Sequence, residues 1–274
     1  MTAVFGFIIL LYMLSSASYI GYFSVQRNVF HRIAYGVLMA GFILHTGLIG
    51  YQYIHWGQIP VHNLHQTLSF AAWALAGVYL LLKYRFRIKI LGAYTAPLAT
   101  LIMIVAFCLP QHAPAEPNTL FNSFWLVSHI IIIFIGEASL ALAGGTGVLY
   151  LIQERAIKTK NPRFFFKRLP SLAVLDNTGY AFIITGFTLL TIGLITGFIY
   201  AEKVWGTLWS WDPKEIWSVI TWLIYAALLH ERLVAGWRGR RAAIMAIIGF
   251  GALIFTFIGV NFFLEGHHNE FTRW

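Results

Sequence analysis

Long apolar runs separated by short polar segments constrain this chain more than any other feature of its sequence. A helix needs about 20 mostly apolar residues to cross a hydrocarbon core of ~30 Å. About eight runs of that kind cover residues 3–24, 31–54, 65–83, 89–109, 123–152, 179–201, 215–233 and 242–264. Of the 274 residues, 59% are hydrophobic and 11% are charged, too few charges to cover a soluble domain of this size. The sequence therefore predicts an all-α polytopic integral membrane protein with about eight transmembrane helices.

The basic residues predict how the protein is oriented. If the N-terminus is outside, 16 of the 19 Lys and Arg residues fall in inner loops, and only Lys203, Lys214 and Arg273 fall outside. This bias matches the positive-inside rule. We therefore expect both termini outside, and we interpret the formal charge of +9 as an orientation signal with affinity for anionic lipids rather than for nucleic acid. The first run begins at Met1 without a basic segment or a small-residue cleavage site, which predicts a retained helix rather than a signal peptide.

The chain is predicted to form a single membrane domain over residues 1–274. Four segments are predicted at the membrane surfaces: an external loop (110–122), a basic internal loop (154–178), an external Trp-rich loop (202–214) and an external tail (265–274). Within the fifth run, the small residues from Gly144 to Gly147 predict close contact with another helix. The acidic Glu137 in the same run is either functional or paired with a polar group of a neighbouring helix.

The external Trp-rich loop holds Trp205, Trp209 and Trp211, three of the chain's ten tryptophans, within seven residues. A single interfacial tryptophan is common in membrane proteins, but this density predicts an aromatic platform for a flat ligand. The sequence that follows predicts a helix with Asp212 as its N-cap and Glu215 closing a capping box. The free N–H groups at that helix start would favour an anionic group of the ligand. If the loop is helical, Trp205 and Trp209 share one face through their i, i+4 spacing.

The histidines and the single Cys108 narrow the identity of that ligand. One cysteine excludes a C-x-x-C dithiol and a C-x-x-C-H haem attachment site. His129 lies near the predicted outer end of the fifth run, and His267 and His268 follow the last run on the same side. An imidazole from each side of an aromatic platform is what bis-histidine ligation of haem iron requires. Zinc is the alternative for clustered histidines, but the sequence does not have the close ligand spacing of zinc sites.

His230 belongs to a different depth of the membrane. It follows Glu215 by 15 residues, which at ~1.5 Å per residue is roughly 22 Å along a helix. It is either a helix-end imidazole beside Glu231 and Arg232, or a ligand of a second haem within the bilayer whose opposite ligand comes from His45 or from another chain. Ligands at two depths would outline a path across the membrane.

The Trp-rich loop and its flanks resemble the CcsA (ResC-type) cytochrome c assembly proteins of system II, within the haem-handling family known for its WWD signature. The sequence from Trp205 to Trp217 follows the pattern WGxxWxWDPKExW of these proteins. The further agreements, dense over residues 120–268, are Thr221 to Tyr225, His230, Pro170 to Leu172 with Asp176, and Gly259 to Asn261. The amino-terminal motif fits less well, because Asn63-Leu64 and Leu68 to Phe70 agree while His65 to Thr67 replace its usual Tyr-Glu-Ser.

This resemblance implies roles for the singled-out residues. His129 and His268, or His267 in its place, would ligate an external haem b that is bound without a covalent bond. The residues implied to hold the porphyrin are Trp205, Trp209, Trp211 and Asp212. His230 would ligate haem within the membrane, with the opposite ligand supplied by a CcsB (ResB)-type partner. The spacing from Gly259-Val260-Asn261 favours His268 over His267.

The implied activity is delivery of haem across the membrane for covalent attachment to CxxCH apocytochromes c. The chain would then be a subunit of a cytochrome c haem lyase (synthase), in a bacterial cytoplasmic membrane or its thylakoid equivalent. A thioredoxin-like thiol reductant is a further implied partner.

Two other functions would use similar ligands. A CcmC-like exporter that loads haem onto a chaperone would work without a CcsB-type partner, but related WWD proteins of that kind usually lack the Pro-Lys-Glu after Trp-Asp. A b-type electron-transfer subunit would have its ligands on facing helices within the bilayer, whereas most histidines here fall at the predicted outer surface.

Overall fold

Eight α-helices account for most of the described chain. The computed structural model describes residues 1–86, 89–110, 123–159 and 167–260. The helices are α1 (Thr2–Val25), α2 (Asn28–Trp56), α3 (Leu64–Phe86), α4 (Gly92–Cys108), α5 (Phe124–Lys158), α6 (Leu172–Trp205), α7 (Pro213–Val234) and α8 (Arg240–Ile254). A 3₁₀ turn (Lys89–Leu91) precedes α4, and a π-helical turn (Phe255–Gly259) continues α8.

Seven of these described helices are long and apolar enough to cross a membrane. They are α1, α2, α3, α5, α6, α4 with its 3₁₀ turn, and α8 with its π-helical turn. α7 lies where the seventh apolar run predicts a helix, but charged residues at its ends shorten its apolar stretch: Lys214, Glu215, Glu231 and Arg232. The predicted all-α polytopic membrane protein is confirmed, with seven rather than about eight helices of membrane-crossing composition in the described residues.

α5 and α6 are longer than the apolar runs from which they were predicted. They have 35 and 34 residues, or roughly 50 Å each at ~1.5 Å per residue. Both extend into the segment predicted as the basic internal loop, so that residues 154–158 and 172–178 are helical. α6 begins after Ser171, whose side chain accepts a hydrogen bond from the Val174 N–H. Such a cap starts a helix independently of hydrophobicity. The predicted external tail, and the external loop 110–122 beyond Pro110, lie outside the described residues.

The chain divides into two compact units. Within the part of the chain that the structure describes, the first ends at Val127 and the second begins at Ser128. In the described residues the first unit contains α1 to α4, and the second contains most of α5 with α6 to α8. The single membrane domain stays a prediction.

A buried histidine joins three helices of the first unit. His45 of α2 is fully buried, with its Nδ1 3.3 Å from the Tyr12 hydroxyl of α1 and its Nε2 2.9 Å from the Ser69 hydroxyl of α3. A buried polar side chain is stable when its groups are hydrogen-bonded. Both ring nitrogens of His45 are engaged within the unit, which disfavours it as the opposite ligand to His230.

Polar residues at the start of α3 form hydrogen bonds with one another. Asn63 accepts a hydrogen bond from the Gln66 N–H, and the Gln66 side-chain oxygen accepts one from the His62 N–H, both at 2.9 Å. This differs from a capping box, in which the side chain at Gln66 would accept from the Asn63 N–H itself. At Gln66, which stands where the motif usually has Glu, the side chain thus takes part in the start of α3. Burial lowers the pKa of the neighbouring His62 imidazole.

Small residues let α5 pack closely against α8 in the second unit. A Cβ added at Gly144 would lie 2.7 Å from Phe250, and one added at Gly147 would lie 2.8 Å from the carbonyl oxygen of Ala243. Such distances leave no room for a side chain, so these positions need glycine. The helix contact predicted from the residues between Gly144 and Gly147 is confirmed.

A buried ion pair fixes one end of the second unit, called here the Asp176 end. Both Nη atoms of Arg232 on α7 donate to the Asp176 carboxylate on α6, at 3.0 and 2.7 Å, and the Gly239 N–H donates to it at 2.8 Å. The guanidinium also lies over the Tyr180 ring, 4.2 Å from its centroid. Removal of one member of a buried pair costs ~3–5 kcal/mol. The pair therefore ties α6 and α7 to the α7–α8 connection.

We expect Gly147→Ala to destabilise the second unit, because its Cβ would meet backbone that cannot rotate away. Overpacking of this kind costs ~1–3 kcal/mol. Gly251→Ala is the matched control, since nothing lies within 4 Å of a Cβ added at Gly251 and Ala favours a helix over Gly by ~1 kcal/mol. Thermal unfolding of the detergent-purified variants should give a lower Tm for Gly147→Ala and an unchanged or higher Tm for Gly251→Ala. Equal Tm values would contradict the close packing.

Candidate functional site

His129 lies on α5 and its ring contacts α6. Its Nδ1 is 2.8 Å from the carbonyl oxygen of Gly193. Because a carbonyl only accepts hydrogen bonds, the proton of the neutral imidazole lies on Nδ1 and the lone pair lies on Nε2. Metal-ligating histidines commonly donate their second nitrogen to a backbone carbonyl in this way. The His129 imidazole is therefore in the tautomer suited to ligation through Nε2.

A glycine on α6 makes this ring position possible. A Cβ added at Gly197 would lie 2.7 Å from Cε1 of His129 and 3.1 Å from its Nδ1. The Thr196 hydroxyl is 3.5 Å from the same Nδ1 and only 2.9 Å from the Gly193 carbonyl, so it bonds mainly to the carbonyl. A larger residue at position 197 would displace the imidazole.

The next residue of α6, Phe198, contacts the Trp-rich loop. The Phe198 and Trp209 rings are 5.8 Å apart between centroids, and Trp209 meets Trp211 edge to face at 5.6 Å and 85°. Edge-to-face pairs at this distance are favourable arrangements of aromatic rings. Two consecutive residues of α6, Gly197 and Phe198, thus contact His129 and one of the three predicted platform tryptophans, Trp209, respectively. A direct contact between His129 and these indoles stays a prediction.

The loop between α6 and α7 is not helical. α6 ends at Trp205, where Gly206 adopts φ +73° as the C-cap, and residues 206–212 are irregular. The shared helical face expected for Trp205 and Trp209 therefore does not form, because the left-handed Gly206 ends the helix between them. Trp211 also has a positive φ, +59°, and is 75% exposed. Such a conformation costs a residue with a Cβ about 1–2 kcal/mol, so its neighbours must hold it.

The start of α7 has the predicted capping box. The Asp212 side chain accepts from the Lys214 N–H at 2.8 Å, and the Glu215 side chain accepts from the Asp212 N–H at 3.3 Å. Glu215 also accepts from the N–H and the hydroxyl of Ser210, both at 3.0 Å. The capping role is confirmed. A direct contact between Asp212 and a ligand stays a prediction.

A cation at the start of α7 interacts with the acidic residue of α5. Lys214 and Glu137 attract each other electrostatically. Glu137 lies eight residues after His129 on the same helix. This attraction supports the expected polar partner for Glu137 on a neighbouring helix, and a functional role for Glu137 stays a prediction. The attraction adds a second connection between the helix of His129 and the segment that follows the Trp-rich loop.

α8 continues into its π-helical turn. There the Phe255 ring packs on Trp217 at 4.3 Å between centroids, and the Thr256 hydroxyl is 3.0 Å from that of Thr221. π-helical turns are frequent at functional sites. The predicted ligands His267 and His268 follow this turn but lie outside the described residues, so their positions stay a prediction.

His230 lies toward the other end of α7, two residues before the buried Arg232. It is exposed, and with Leu223, Ala227 and Val234 it forms an exposed stripe at i, i+4, i+7 and i+11. The helical rise between Glu215 and His230 is roughly 22 Å. The structure therefore keeps His230 apart from the residues around His129.

Sequence reasoning missed Gly197, Phe198 and the bonds from Glu215 to Ser210. Gly193 and Gly197 have the small-x-x-x-small spacing typical of close helix contacts in membranes. That spacing could have predicted a surface of α6 that accepts a side chain from a neighbouring helix.

Comparisons with known proteins agree with this architecture. The family described as "Cytochrome C assembly protein" matches residues 61–268. The "Cytochrome c biogenesis protein CcsA" of Guillardia theta is 35% identical over 269 residues, covering 90% of this chain and 88% of that protein. The protein of the same name from Synechococcus elongatus is 34% identical over 268 residues, covering 82% of each. That from Porphyra purpurea is 34% identical over 253 residues, covering 78% of this chain and 79% of that protein.

A solved structure titled "Cytochrome c Heme Lyase CcmF" shares the fold. It superposes with a TM-score of 0.67 at 16% sequence identity, and the match covers 98% of this chain. The chain spans about half the length of that protein, 47%.

These likenesses, with the membrane-crossing helices, give the chain a role in cytochrome c assembly as an integral membrane protein. Because the family match covers most of the chain and the relatives are more than 30% identical over most of their length, this chain belongs to the cytochrome c assembly family as a CcsA-type cytochrome c biogenesis protein.

Proposed function

We propose that this chain holds haem at the His129 end of its second unit and presents it to CxxCH apocytochromes c for covalent attachment. In this proposal it is the CcsA-type subunit of a system II synthase and acts with a CcsB (ResB)-type membrane partner. The observation that carries the proposal is the arrangement on α6. Gly193 and Gly197 orient the His129 imidazole, and Phe198, the residue after Gly197, contacts Trp209.

The side chains at this end suit haem b bound without a covalent bond. A neutral imidazole with its lone pair on Nε2 is the form in which histidine ligates haem iron. Trp209 and the 75% exposed Trp211 offer aromatic surface to a flat ring. The start of α7 adds no free N–H donor for a propionate, contrary to the expectation from the sequence, because Pro213 has no N–H and the Asp212 side chain accepts from the N–H groups of Lys214 and Glu215.

His268 supplies the second axial ligand in this proposal, with His267 as the alternative. The histidine of the CxxCH motif then replaces the ligand on the terminal tail. We assign the displacement to that ligand because His129 is held between α5 and α6 by the Gly193 carbonyl.

His230 holds haem on its way across the membrane. An imidazole that faces lipid is costly, so intramembrane polar side chains usually have a partner. The exposed stripe of Leu223, Ala227, His230 and Val234 has the spacing of a helix-packing face. A helix of the CcsB-type partner would cover this stripe and bring the opposite ligand.

The chain contributes positioning to the attachment reaction. Each cysteine thiol of the apocytochrome adds across one vinyl group, so that a C–S bond forms and the thiol proton moves to the neighbouring carbon without net oxidation. A fixed geometry for ring and peptide removes much of the entropic barrier to such a step. Both cysteines must be reduced, which is why a thioredoxin-like reductant belongs among the partners.

The proposed orientation places the His129 end outside the bacterial cytoplasmic membrane or its thylakoid equivalent. The opposite, Asp176 end carries the C-terminal cations of α5 and those around the start of α8: Arg155, Lys158, Arg238, Arg240 and Arg241. Positive residues concentrate on the inner side of membrane proteins.

We expect His129→Ala to lose most of the haem that co-purifies with the chain and its CcsB-type partner, and to abolish cytochrome c assembly. His55→Ala is the matched control, because His55 is an exposed imidazole stacked on Tyr51 in the first unit. Absorption spectra of the detergent-purified complexes should show a low-spin b-type haem in the wild type and in His55→Ala only. Full haem content in His129→Ala would refute the ligand assignment.

Spectra of the same purified complexes after addition of a CxxCH peptide distinguish covalent attachment of haem from the loading of haem onto a chaperone. Synthase function predicts that covalent haem appears on a CxxCH peptide only when the CcsB-type partner is present. Transfer of unattached haem to an acceptor by the chain alone would instead indicate an exporter.

We expect Gly197→Ala to weaken haemin binding by more than its loss of thermal stability explains, because the new Cβ displaces the His129 ring. Gly179→Ala, 18 residues before Gly197, is the control on the same helix, since its Cβ would crowd the Thr146 Oγ1 at 2.7 Å instead. Haemin titration and thermal unfolding of both variants separate the two effects. If haemin affinity follows Tm in both variants, the orienting role of Gly197 is wrong.

A further inference from the structure

We propose that Glu215 is a positioning residue that holds the Trp211 indole in the conformation in which it faces haem. The inference rests on the proposed haem role of this end of the chain. The sequence predicts only a capping role for Glu215 at the start of α7. In the structure its carboxylate also accepts hydrogen bonds from the residues on both sides of Trp211.

The hydrogen bonds of Glu215 enclose Trp211. One carboxylate oxygen accepts from the backbone N–H of Ser210 at 3.0 Å and from that of Asp212 at 3.3 Å, and the other accepts from the Ser210 hydroxyl at 3.0 Å. The residues before and after Trp211 are therefore drawn to the same buried carboxylate. Trp211, which lies between them, is turned away from this carboxylate and is 75% exposed.

Helix capping does not account for these bonds. A capping box needs one bond from Glu215 to the N-cap N–H, and Asp212 already accepts from the Lys214 N–H at 2.8 Å. The two bonds to Ser210 lie outside the helix. They are charge-assisted and therefore stronger than neutral hydrogen bonds.

The conformation of Trp211 requires such a constraint. Its φ of +59° is unusual for a bulky residue. Strained residues of this kind persist only where the surrounding structure determines them, and they cluster at ligand sites. Because most of the indole is exposed, burial does not offset the strain. The Phe198–Trp209 contact fixes the neighbouring ring, and Trp211 stands at 85° to it, so the two indoles form a corner open to a flat ligand.

The experiment compares Glu215→Gln with Ser171→Ala in the detergent-purified full chain. The amide retains one acceptor oxygen and the size of Glu215, but it cannot receive all three hydrogen bonds. Ser171→Ala removes the N-cap of α6, which accepts from the Val174 N–H at 3.4 Å, and so controls for loss of a helix cap alone. Tryptophan is replaced by 5-fluorotryptophan, and the ¹⁹F resonance of Trp211 is assigned by its disappearance in Trp211→Phe.

We expect Glu215→Gln to shift and broaden the Trp211 resonance without haem, and to weaken haemin binding about tenfold, the size of effect expected for loss of a charge-assisted hydrogen bond. Ser171→Ala should leave both unchanged even where its Tm falls. An unmoved Trp211 resonance in Glu215→Gln overturns the proposal, and so does a moved resonance with wild-type haemin affinity. Failure of the proposed function looks different: His129→Ala would then bind haemin like the wild type, while the effect of Glu215 on the Trp211 resonance would remain.

Discussion

The close contact between α5 and α6 is the constraint on which the candidate site depends. The absent Cβ of Gly186 leaves room for the Gly136 carbonyl, which would lie 2.9 Å from it. Further along the same contact, the Gly193 carbonyl comes within 2.8 Å of His129 Nδ1. A backbone carbonyl of one helix reaches an imidazole of its neighbour only when the two backbones approach this closely. Helix packing thus sets the tautomer and direction of the proposed iron ligand.

α7 runs from the His129 end to the Asp176 end of the second unit, and it carries polar residues that form hydrogen bonds at each end. Its first turn holds Glu215, which shapes the Trp-rich loop, and its last turn holds Arg232, which pairs with Asp176. Between them, the Trp222 indole donates to the Thr191 hydroxyl of α6 at 2.8 Å. The polar groups that make these bonds are the reason that α7 is less apolar than the seven helices of membrane-crossing composition. Its amphipathic character therefore reflects its part in fixing the site.

The apolar runs and the helix-capping residues predicted the helices well, whereas the positions of the histidines predicted less of the described structure. The runs located the helices, and the spacing of Asp212 and Glu215 predicted the start of α7, because both signals are local. The C-terminal end of α5 and both ends of α6 were missed, since helices continue past an apolar run wherever caps and polar residues allow it. The bond from His129 to Gly193 joins residues 64 positions apart and depends on the register of α5 against α6, which local patterns do not contain. The shape of the Trp-rich loop likewise depends on a tertiary constraint.

The central claim is that His129 ligates haem iron beside the Trp-rich loop. A cryo-EM structure of the haem-loaded chain with its CcsB-type partner tests it most directly. We expect porphyrin density against Trp209 and Trp211, iron coordinated by His129 Nε2, and the Nδ1 bond to Gly193 still in place. Haem bound elsewhere, with His129 uncoordinated and the Trp-rich loop bare, would contradict it.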